Sequence, residues 1–115
     1  MNNINTCMLS WKLFLDDERF PASLDDDIFI ARDVSAAIEL INEMGCPSYI
    51  DFDHDLGAGP NAFDFVKWLV GKDIEEDGKF IPLNFDFSVH SQNPVGAKNI
   101  REYLWSYLTF RRKNS

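Results

Sequence analysis

Residues 12–19 have the sequence KLFLDDER, in which a short apolar run stops abruptly at a cluster of charged residues. An apolar run bounded by charge is typical of a strand that is buried on both faces, as strands are in parallel sheets. The segment therefore predicts a short strand over residues 12–15 that ends at two neighbouring aspartates, Asp16 and Asp17.

The remainder of the chain alternates apolar runs with segments of helical spacing. Further strands are predicted over residues 28–31, 48–52 and 84–89. Helices are predicted from Val34 to Gly45 with Asp33 as N-cap, over residues 61–71, and from Pro94 onward, with a charged linker over residues 72–79. This β-β-α-β-α-β-α order predicts an α/β fold with a mainly parallel sheet that is covered on both faces.

The composition is that of a folded cytoplasmic protein. With 115 residues, 45% of them hydrophobic, the chain is expected to form one domain over residues 1–115, with a flexible lead-in over residues 1–10. No apolar run reaches the roughly 18 residues that a membrane span needs. Cys7 and Cys46 form no CxxC motif, so two reduced thiols are expected. The residues expected in the core are Leu13, Leu15, Ile30, Ile50, Val89, Ile100, Tyr103, Leu104, Tyr107 and Leu108.

The formal net charge of −8 is unevenly distributed along the chain. Residues 1–93 carry a net charge of −12, whereas the residues from Pro94 onward carry +4. Because an acidic body repels the phosphate backbone, non-specific binding to a long nucleic-acid duplex is not expected. The basic tail either contacts a phosphate or an acidic partner, or complements the dipole of the last helix at its C-terminal end.

Polar residues follow three of the predicted strands. In open α/β sheets ligands bind outside the carboxyl ends of the strands, so these residues are expected to line one crevice. Both histidines of the protein, His54 and His90, are among them. The residues concerned are Asp16 and Asp17 after strand 1, Asp53, His54 and Asp55 after strand 3, and His90, Ser91, Gln92 and Asn93 after strand 4.

The carboxylates at this edge predict a metal site. Asp16, Asp17 and Asp53 would lie within a few Å of one another, where a cation relieves their repulsion. Carboxylate oxygens with retained waters are typical of Mg²⁺, with Asp55 as a further candidate ligand. Participation of the histidines would favour a softer ion such as Mn²⁺ or Zn²⁺. The alternative for the first aspartate pair is a solvated loop in which Asp17 caps a turn.

Other polar residues have two interpretations each. Arg19 is a candidate phosphate ligand, or it forms a salt bridge with its acidic neighbours. Asn93 either contacts substrate or acts as the N-cap of the last helix, whose N-terminus is itself a favourable place for an anion. Asp51 shares a strand face with Asp53, and it either reaches the crevice or pairs with Lys12.

Three segments together resemble a known family. They are LDDERFP at 15–21, FDHDLG at 52–57 and VHSQNPVG at 89–96. Over about residues 12–108 the chain resembles the cyclic-phosphate processing receiver family, an offshoot of the response-regulator receiver domains. The resemblance implies a three-layer flavodoxin/receiver-like α/β fold, truncated to a four-stranded, mainly parallel sheet in order 2-1-3-4.

The resemblance also implies roles for individual residues. Asp16, Asp17 and Asp53 would hold the metal, Asp53 also standing among the catalytic residues. His54 and His90 would be the catalytic additions of the family, and Ser91 lies near the receiver's hydroxyl switch position. Two departures argue against ordinary phosphorelay: the lysine-bearing fifth strand has no counterpart, and the receiver's first helix is reduced to a loop over 18–27. That short loop leaves one side of the sheet less covered, so a monomer or a homodimer is expected.

The resulting hypothesis is a metal-assisted phosphoesterase that opens a cyclic phosphate on an RNA end or on a small nucleotide. One histidine would activate water and the other would protonate the leaving oxygen. On adjacent strands, His54 and His90 are expected about 5 Å apart. The alternatives are a non-catalytic receiver-like module that binds a nucleotide or a protein partner, and a phospho-acceptor receiver that uses Asp53. No membrane partner is expected.

Overall fold

The computed structural model describes residues 10–17, 20–21, 27–53, 61–90 and 94–113, with the backbone alone described at Asp53. These residues form four strands and three helices. The strands are β1 (Lys12–Leu15), β2 (Ile28–Ala31), β3 (Tyr49–Asp53) and β4 (Asp86–His90); the helices are α1 (Val34–Met44), α2 (Ala62–Glu75) and α3 (Pro94–Lys113). Apart from Ser10, the expected lead-in over residues 1–10 lies outside the described residues.

The four strands form one sheet in the order β2-β1-β3-β4, and every neighbouring pair is parallel. The predicted α/β receiver-like fold and the predicted strand order are confirmed. Leu15 pairs with Ala31 on one side and with Phe52 on the other, and Asp53 pairs with His90. In a parallel sheet all strands end at the same edge, so this register places the residues that follow Leu15, Ala31 and Phe52 side by side.

The three helices pack on one face of the sheet. The crossovers from β2 through α1 to β3 and from β3 through α2 to β4 run in the same direction across the sheet, and right-handed connections then place both helices on the same side. Helix α3 packs beside α2, where the rings of Phe63 and Tyr103 meet edge to face. The core on this side is formed by alternate residues of β1, β2 and β3 together with residues of all three helices. Its members include Leu13, Leu15, Ala31, Ile50, Phe52, Val34, Ala37, Ile41, Phe65, Leu69, Ile100 and Leu104.

Among the described residues, the helices cover one face of the sheet, as expected from the short connection between β1 and β2. Of residues 18–27 in that connection, only 20, 21 and 27 are described, and they form no helix. Ile30, predicted to be buried, is only half-buried, since it alternates with Ala31 and lies on the face opposite the three described helices. Val89 is half-buried at the edge strand, and Tyr103 is exposed on α3.

Local sequence signals account for the helix ends. Asp33 caps α1 by accepting a hydrogen bond from the backbone N–H of Ala36 at 2.8 Å, as predicted. Asn61 and Asp64 form a capping box at the start of α2. Helix α2 continues to Glu75 instead of ending at residue 71, so half of the predicted charged linker is helical. Among the described residues, no helix has the length and apolar character needed to cross a membrane.

Candidate active site at the carboxyl edge of the sheet

Asp16 is the first residue after β1, and it is buried with only 2% of its surface exposed. Its backbone N–H donates to the carbonyl oxygen of Ala31 at 3.1 Å, which continues the pairing of β1 with β2 past the strand end. Asp17, the next residue, is exposed. The aspartate pair is therefore split into a buried carboxyl group at the sheet edge and a carboxyl group in solvent.

Arg32 is a residue of this edge that the sequence interpretation missed. It directly follows β2, and its guanidinium donates to the backbone carbonyl oxygen of Asp16 at 3.1 Å. The guanidinium also lies over the ring of Phe20, 4.6 Å from the ring centroid. Arg32 thus ties the backbone of Asp16 to β2 and brings a permanent positive charge to an edge rich in carboxylates. The available signal was its position as the first residue after a predicted strand.

His90, the last residue of β4, is held by Asp51 of the neighbouring strand. Nε2 of His90 lies 3.1 Å from Oδ1 of Asp51, with 54% of the histidine side chain and 24% of the aspartate side chain exposed. The sequence left two interpretations open for Asp51, which were a position in the crevice and a pair with Lys12. The structure places it beside His90, a residue of the crevice. Lys12 pairs instead with Asp27, at 3.8 Å.

The contact between Asp51 and His90 lies on the face of the sheet opposite the three described helices. In the register Asp51 pairs with Ser88, and His90 pairs with Asp53 two residues further along. One step toward the other end of the strands, the hydroxyl of Tyr49 donates to Oγ of Ser88 at 2.7 Å. Side chains of β3 and β4 therefore form a polar strip that runs along this face toward the carboxyl edge.

Several predicted site residues cannot be compared with the structure. His54, Asp55, Arg19, Ser91 and Asn93 lie outside the described residues, as does the side chain of Asp53. Within the described ranges, no group of three or more potential metal ligands is found. The described residues that lie along this edge, on successive strands, are Asp16, Asp17, Arg32 and His90, together with the backbone of Asp53.

A second charged cluster lies between α2 and α3. Asp73 of α2 is fully buried, and its Oδ1 accepts hydrogen bonds from the backbone N–H groups of Phe80 and Ile81 at 2.9 and 2.8 Å. Its Oδ2 accepts from the hydroxyl of Tyr107 and from Arg111, the latter at 3.1 Å. Arg111 also donates to the carbonyl oxygen of Ile81 at 2.9 Å. Arg111, a residue of the basic tail, therefore has a structural role in this cluster.

The titration of the buried cluster follows from these hydrogen bonds. Burial on its own raises the pKa of Asp73, but the bonds from Tyr107, the two backbone N–H groups and Arg111 stabilise the carboxylate and lower the pKa overall. Burial, together with the bond to Asp73, raises the pKa of Tyr107 to about 12. The nearby thiol of Cys46 has its pKa raised, chiefly by burial and also by the charge of Asp73.

Comparison with known protein families gives one match. The family described as the cyclic-phosphate processing receiver domain matches residues 11–106, which is most of the chain. The matched region includes all four strands and most of α3. No curated protein and no solved structure matches the sequence.

Proposed function

Because this chain belongs to the cyclic-phosphate processing receiver family, we propose that it hydrolyses a cyclic phosphate on an RNA end or on a small nucleotide. The observation that carries the proposal is the pair formed by His90 and Asp51. A half-exposed histidine stands at the carboxyl edge of a parallel sheet, where ligands bind in this class of fold, and a carboxylate fixes its ring.

The reaction requires two proton transfers. Water adds its oxygen to phosphorus, one P–O bond of the cyclic ester breaks, and the proton from water is balanced by a proton delivered to the leaving ribose oxygen. Histidine suits both transfers because both of its protonation states are accessible near neutral pH. We assign one transfer to His90 and the other to His54. The residue that precedes His54, Asp53, is the register partner of His90.

The donor set at the edge fits a hard divalent cation. Asp16 offers a carboxylate in a largely buried position and Asp17 offers one in solvent. Carboxylate oxygens are the protein ligands that Mg²⁺ prefers, and Mn²⁺ accepts them as well. We propose that Asp16, Asp17, Asp53 and Asp55 hold such an ion. The ion would supply neutralisation of the negative phosphoryl oxygens.

Substrate contacts are proposed for three residues on the same loops. Arg19 follows the aspartate pair and would bind a phosphate oxygen in the two-pronged manner of guanidinium groups. Ser91 and Asn93 follow His90 and precede the N-terminus of α3, where backbone N–H groups favour an anion. Arg32, which holds the backbone of Asp16, adds to the positive charge of the edge.

The direct experiment is a turnover assay on a panel of 2′,3′-cyclic mononucleotides, RNA ends that carry a 2′,3′-cyclic phosphate, and cyclic dinucleotides. Each substrate is assayed with Mg²⁺, with Mn²⁺ and with a chelator. We expect ring opening of at least one substrate that depends on a divalent ion. Binding of a substrate without turnover would favour the non-catalytic module. A long-lived aspartyl phosphate formed from a small phosphodonor would favour a phospho-acceptor.

The metal site is tested separately by thermal unfolding. A divalent ion that binds only the folded protein stabilises it by about 2.7 kcal/mol at a concentration one hundred times its Kd. We expect Mg²⁺ or Mn²⁺ to raise the Tm of the protein and to leave the Tm of the Asp16→Asn, Asp17→Asn double variant unchanged. The matched control is His90→Ala, which should keep the metal response. A retained response in the double variant would place the ion elsewhere, and a lost response in His90→Ala would make the histidine a ligand.

A further inference from the structure

We propose that Asp51 is a positioning residue that keeps the neutral ring of His90 protonated on Nε2, so that Nδ1 is the nitrogen that exchanges a proton with the reacting groups. This inference rests on the proposed function, in which His90 performs one of the two proton transfers. It gives Asp51, which lies inside β3, a positioning role, and it identifies Nδ1 as the ring nitrogen of His90 that exchanges the proton.

The first support is the chemistry of the contact. An ionised carboxylate only accepts hydrogen bonds, so the ring nitrogen 3.1 Å from Oδ1 of Asp51 must be the donor. That nitrogen is Nε2. In a neutral imidazole one nitrogen carries the proton and the other has a free electron pair, and the bond made by one nitrogen decides the state of the other. Nδ1 is then the atom with the electron pair.

The second support is the difference in structural constraint between the two partners. Asp51 lies in the middle of β3, with Phe14 of β1 and Ser88 of β4 as its register partners, so its backbone is fixed from both sides. Its side chain is also the less exposed of the two. His90 ends an edge strand and has the more exposed side chain. The more constrained partner, Asp51, therefore orients the more exposed one, His90.

The third support is the direction of the contact. Asp51 and His90 lie one register pair apart, since Asp51 pairs with Ser88 and His90 with Asp53. The two side chains therefore meet across this offset along the sheet. Without the carboxylate, rotation about the two side-chain torsions would let the ring turn freely into solvent. Asp51 thus limits both the rotamer and the tautomer of His90.

The ring state can be measured directly by ¹⁵N NMR, without any substrate. The protein has two histidines, and the His90→Ala variant assigns the two sets of ring signals. The neutral form of the ring is observed in alkaline buffer, at a pH above which the ring signals no longer change. We expect the signals of His90 to report a single tautomer with the proton on Nε2. A neutral ring that carries its proton on Nδ1, or that populates both tautomers, would overturn the proposal.

Substitution of the carboxylate supplies the causal test. An amide can accept from Nε2–H or donate to Nε2, so Asp51→Asn should produce a mixture of tautomers at His90. Tyr49→Phe is the matched control, because it removes a hydrogen bond between the same two strands on the same face without touching the histidine. The control should leave the tautomer of His90 unchanged. An equal change in both variants would show that His90 responds to the strand pairing in general.

The kinetic readout follows on any substrate that the wild-type protein turns over. Residues that orient a metal-bound histidine typically contribute roughly 10–100-fold to activity, and we take the same range for the residue that orients His90. We expect Asp51→Asn to lower kcat by this factor with KM little changed, and Tyr49→Phe to leave both constants near their wild-type values. An unchanged kcat in Asp51→Asn would overturn the positioning role. If no substrate is turned over, the proposed function fails, whereas the NMR result still decides the state of the ring.

Discussion

The cluster around Asp73 and the pair formed by Asp51 and His90 both join a carboxylate to a basic side chain, but in different surroundings. Asp73 is fully buried, and four hydrogen-bond donors surround its two oxygens. Its basic partner, Arg111, has only 13% of its side chain exposed. At the carboxyl edge the basic partner is a histidine with 54% exposed. The first pair is largely closed to solvent, whereas about half of the histidine side chain in the second pair is open to it.

This difference shows that a buried charged pair and a half-exposed charged pair suit different roles, the first in stability and the second in ligand binding. Bringing a charge into the protein interior costs free energy, and only a full set of partners offsets that cost. A site with a full set of partners is rigid, and its protonation hardly changes near neutral pH. A half-exposed pair stabilises the fold little, yet one side of its basic group remains open to a ligand. We therefore expect loss of stability from changes at Asp73 and loss of chemistry from changes at His90.

The largest effect is expected from Asp73→Ala. The substitution leaves Arg111 without its carboxylate and removes the acceptor of two backbone N–H groups. Breaking a buried ion pair by removing one partner typically costs about 3–5 kcal/mol. Urea unfolding should show this loss, and Glu75→Ala, which removes an exposed carboxylate from the same helix, should stay near wild type. Equal stability of the two variants would show that the buried cluster contributes nothing.

The second effect concerns His90→Ala. Loss of a general acid or base usually lowers the rate roughly 10²–10⁴-fold. We expect a reduction of this size in the hydrolysis of whichever cyclic phosphate the protein accepts. The unfolding midpoint in urea should change little, because the ring is half-exposed. A variant that retains full activity would remove His90 from the mechanism, and one that unfolds would place the histidine among the structural residues.

The third prediction concerns the free energy of unfolding as a function of pH. The cluster around Asp73 should cause one loss of stability on the acid side and another on the alkaline side. The pKa of Asp73 is lowered from 3.8, so its stabilising contribution is complete above that pH and is lost as the pH falls through the lower folded value. The pKa of Tyr107 is raised from 10.0 to about 12, so its contribution is complete below pH 10.0 and is lost as the pH rises toward 12. Urea unfolding at a series of pH values should show both losses.

Two variants separate these limbs. Tyr107→Phe should remove the alkaline limb, and in an absorbance titration it should remove a phenol that ionises at about pH 12. Asp73→Asn should remove the contribution of the carboxylate on the acid side. A wild-type titration without a phenol that ionises at about pH 12 would contradict the bond between Tyr107 and Asp73.

The smallest effect is expected for the stability of Asp51→Asn. Ion pairs near the surface contribute about 0–1 kcal/mol, because water competes for both groups. We expect the free energy of unfolding to change by no more than about 1 kcal/mol at neutral pH. Asp73→Asn, the same chemical change at the buried cluster, is the control and should cost more. A larger loss from Asp51→Asn would remove the distinction between the two regions.

Much of the fold could be predicted because its signals are local. The bounds of β1 and β2 match the prediction, since each is an apolar run that ends at a charge or at an N-cap. Helix α2 was predicted to end too early. Residues 72–75 have three charged residues and one isolated apolar residue, so they continue no apolar face in the sequence. The two side chains that bind Asp73 belong to α3, more than thirty positions further along the chain.

The candidate site was predictable only in part. The rule that ligands bind at strand ends identified Asp16 and His90 as members of one edge. It did not identify Arg32, because a single arginine after a strand has no distinctive pattern. The partner of Asp51 depended on the register of two strands that are separated by a helix. His54, Asp55, Arg19, Ser91 and Asn93 remain predictions.

By itself the sequence determined the order of the elements, the parallel sheet and the family, because apolar periodicity, caps and short motifs are properties of neighbouring residues. Only the tertiary structure decided which charged residues are structural and which are accessible. Asp51 and Asp73 are both acids within predicted or partly predicted elements, and nothing adjacent to either distinguishes them. Their environments differ because strand register brings His90 to one and helix packing brings Tyr107 and Arg111 to the other.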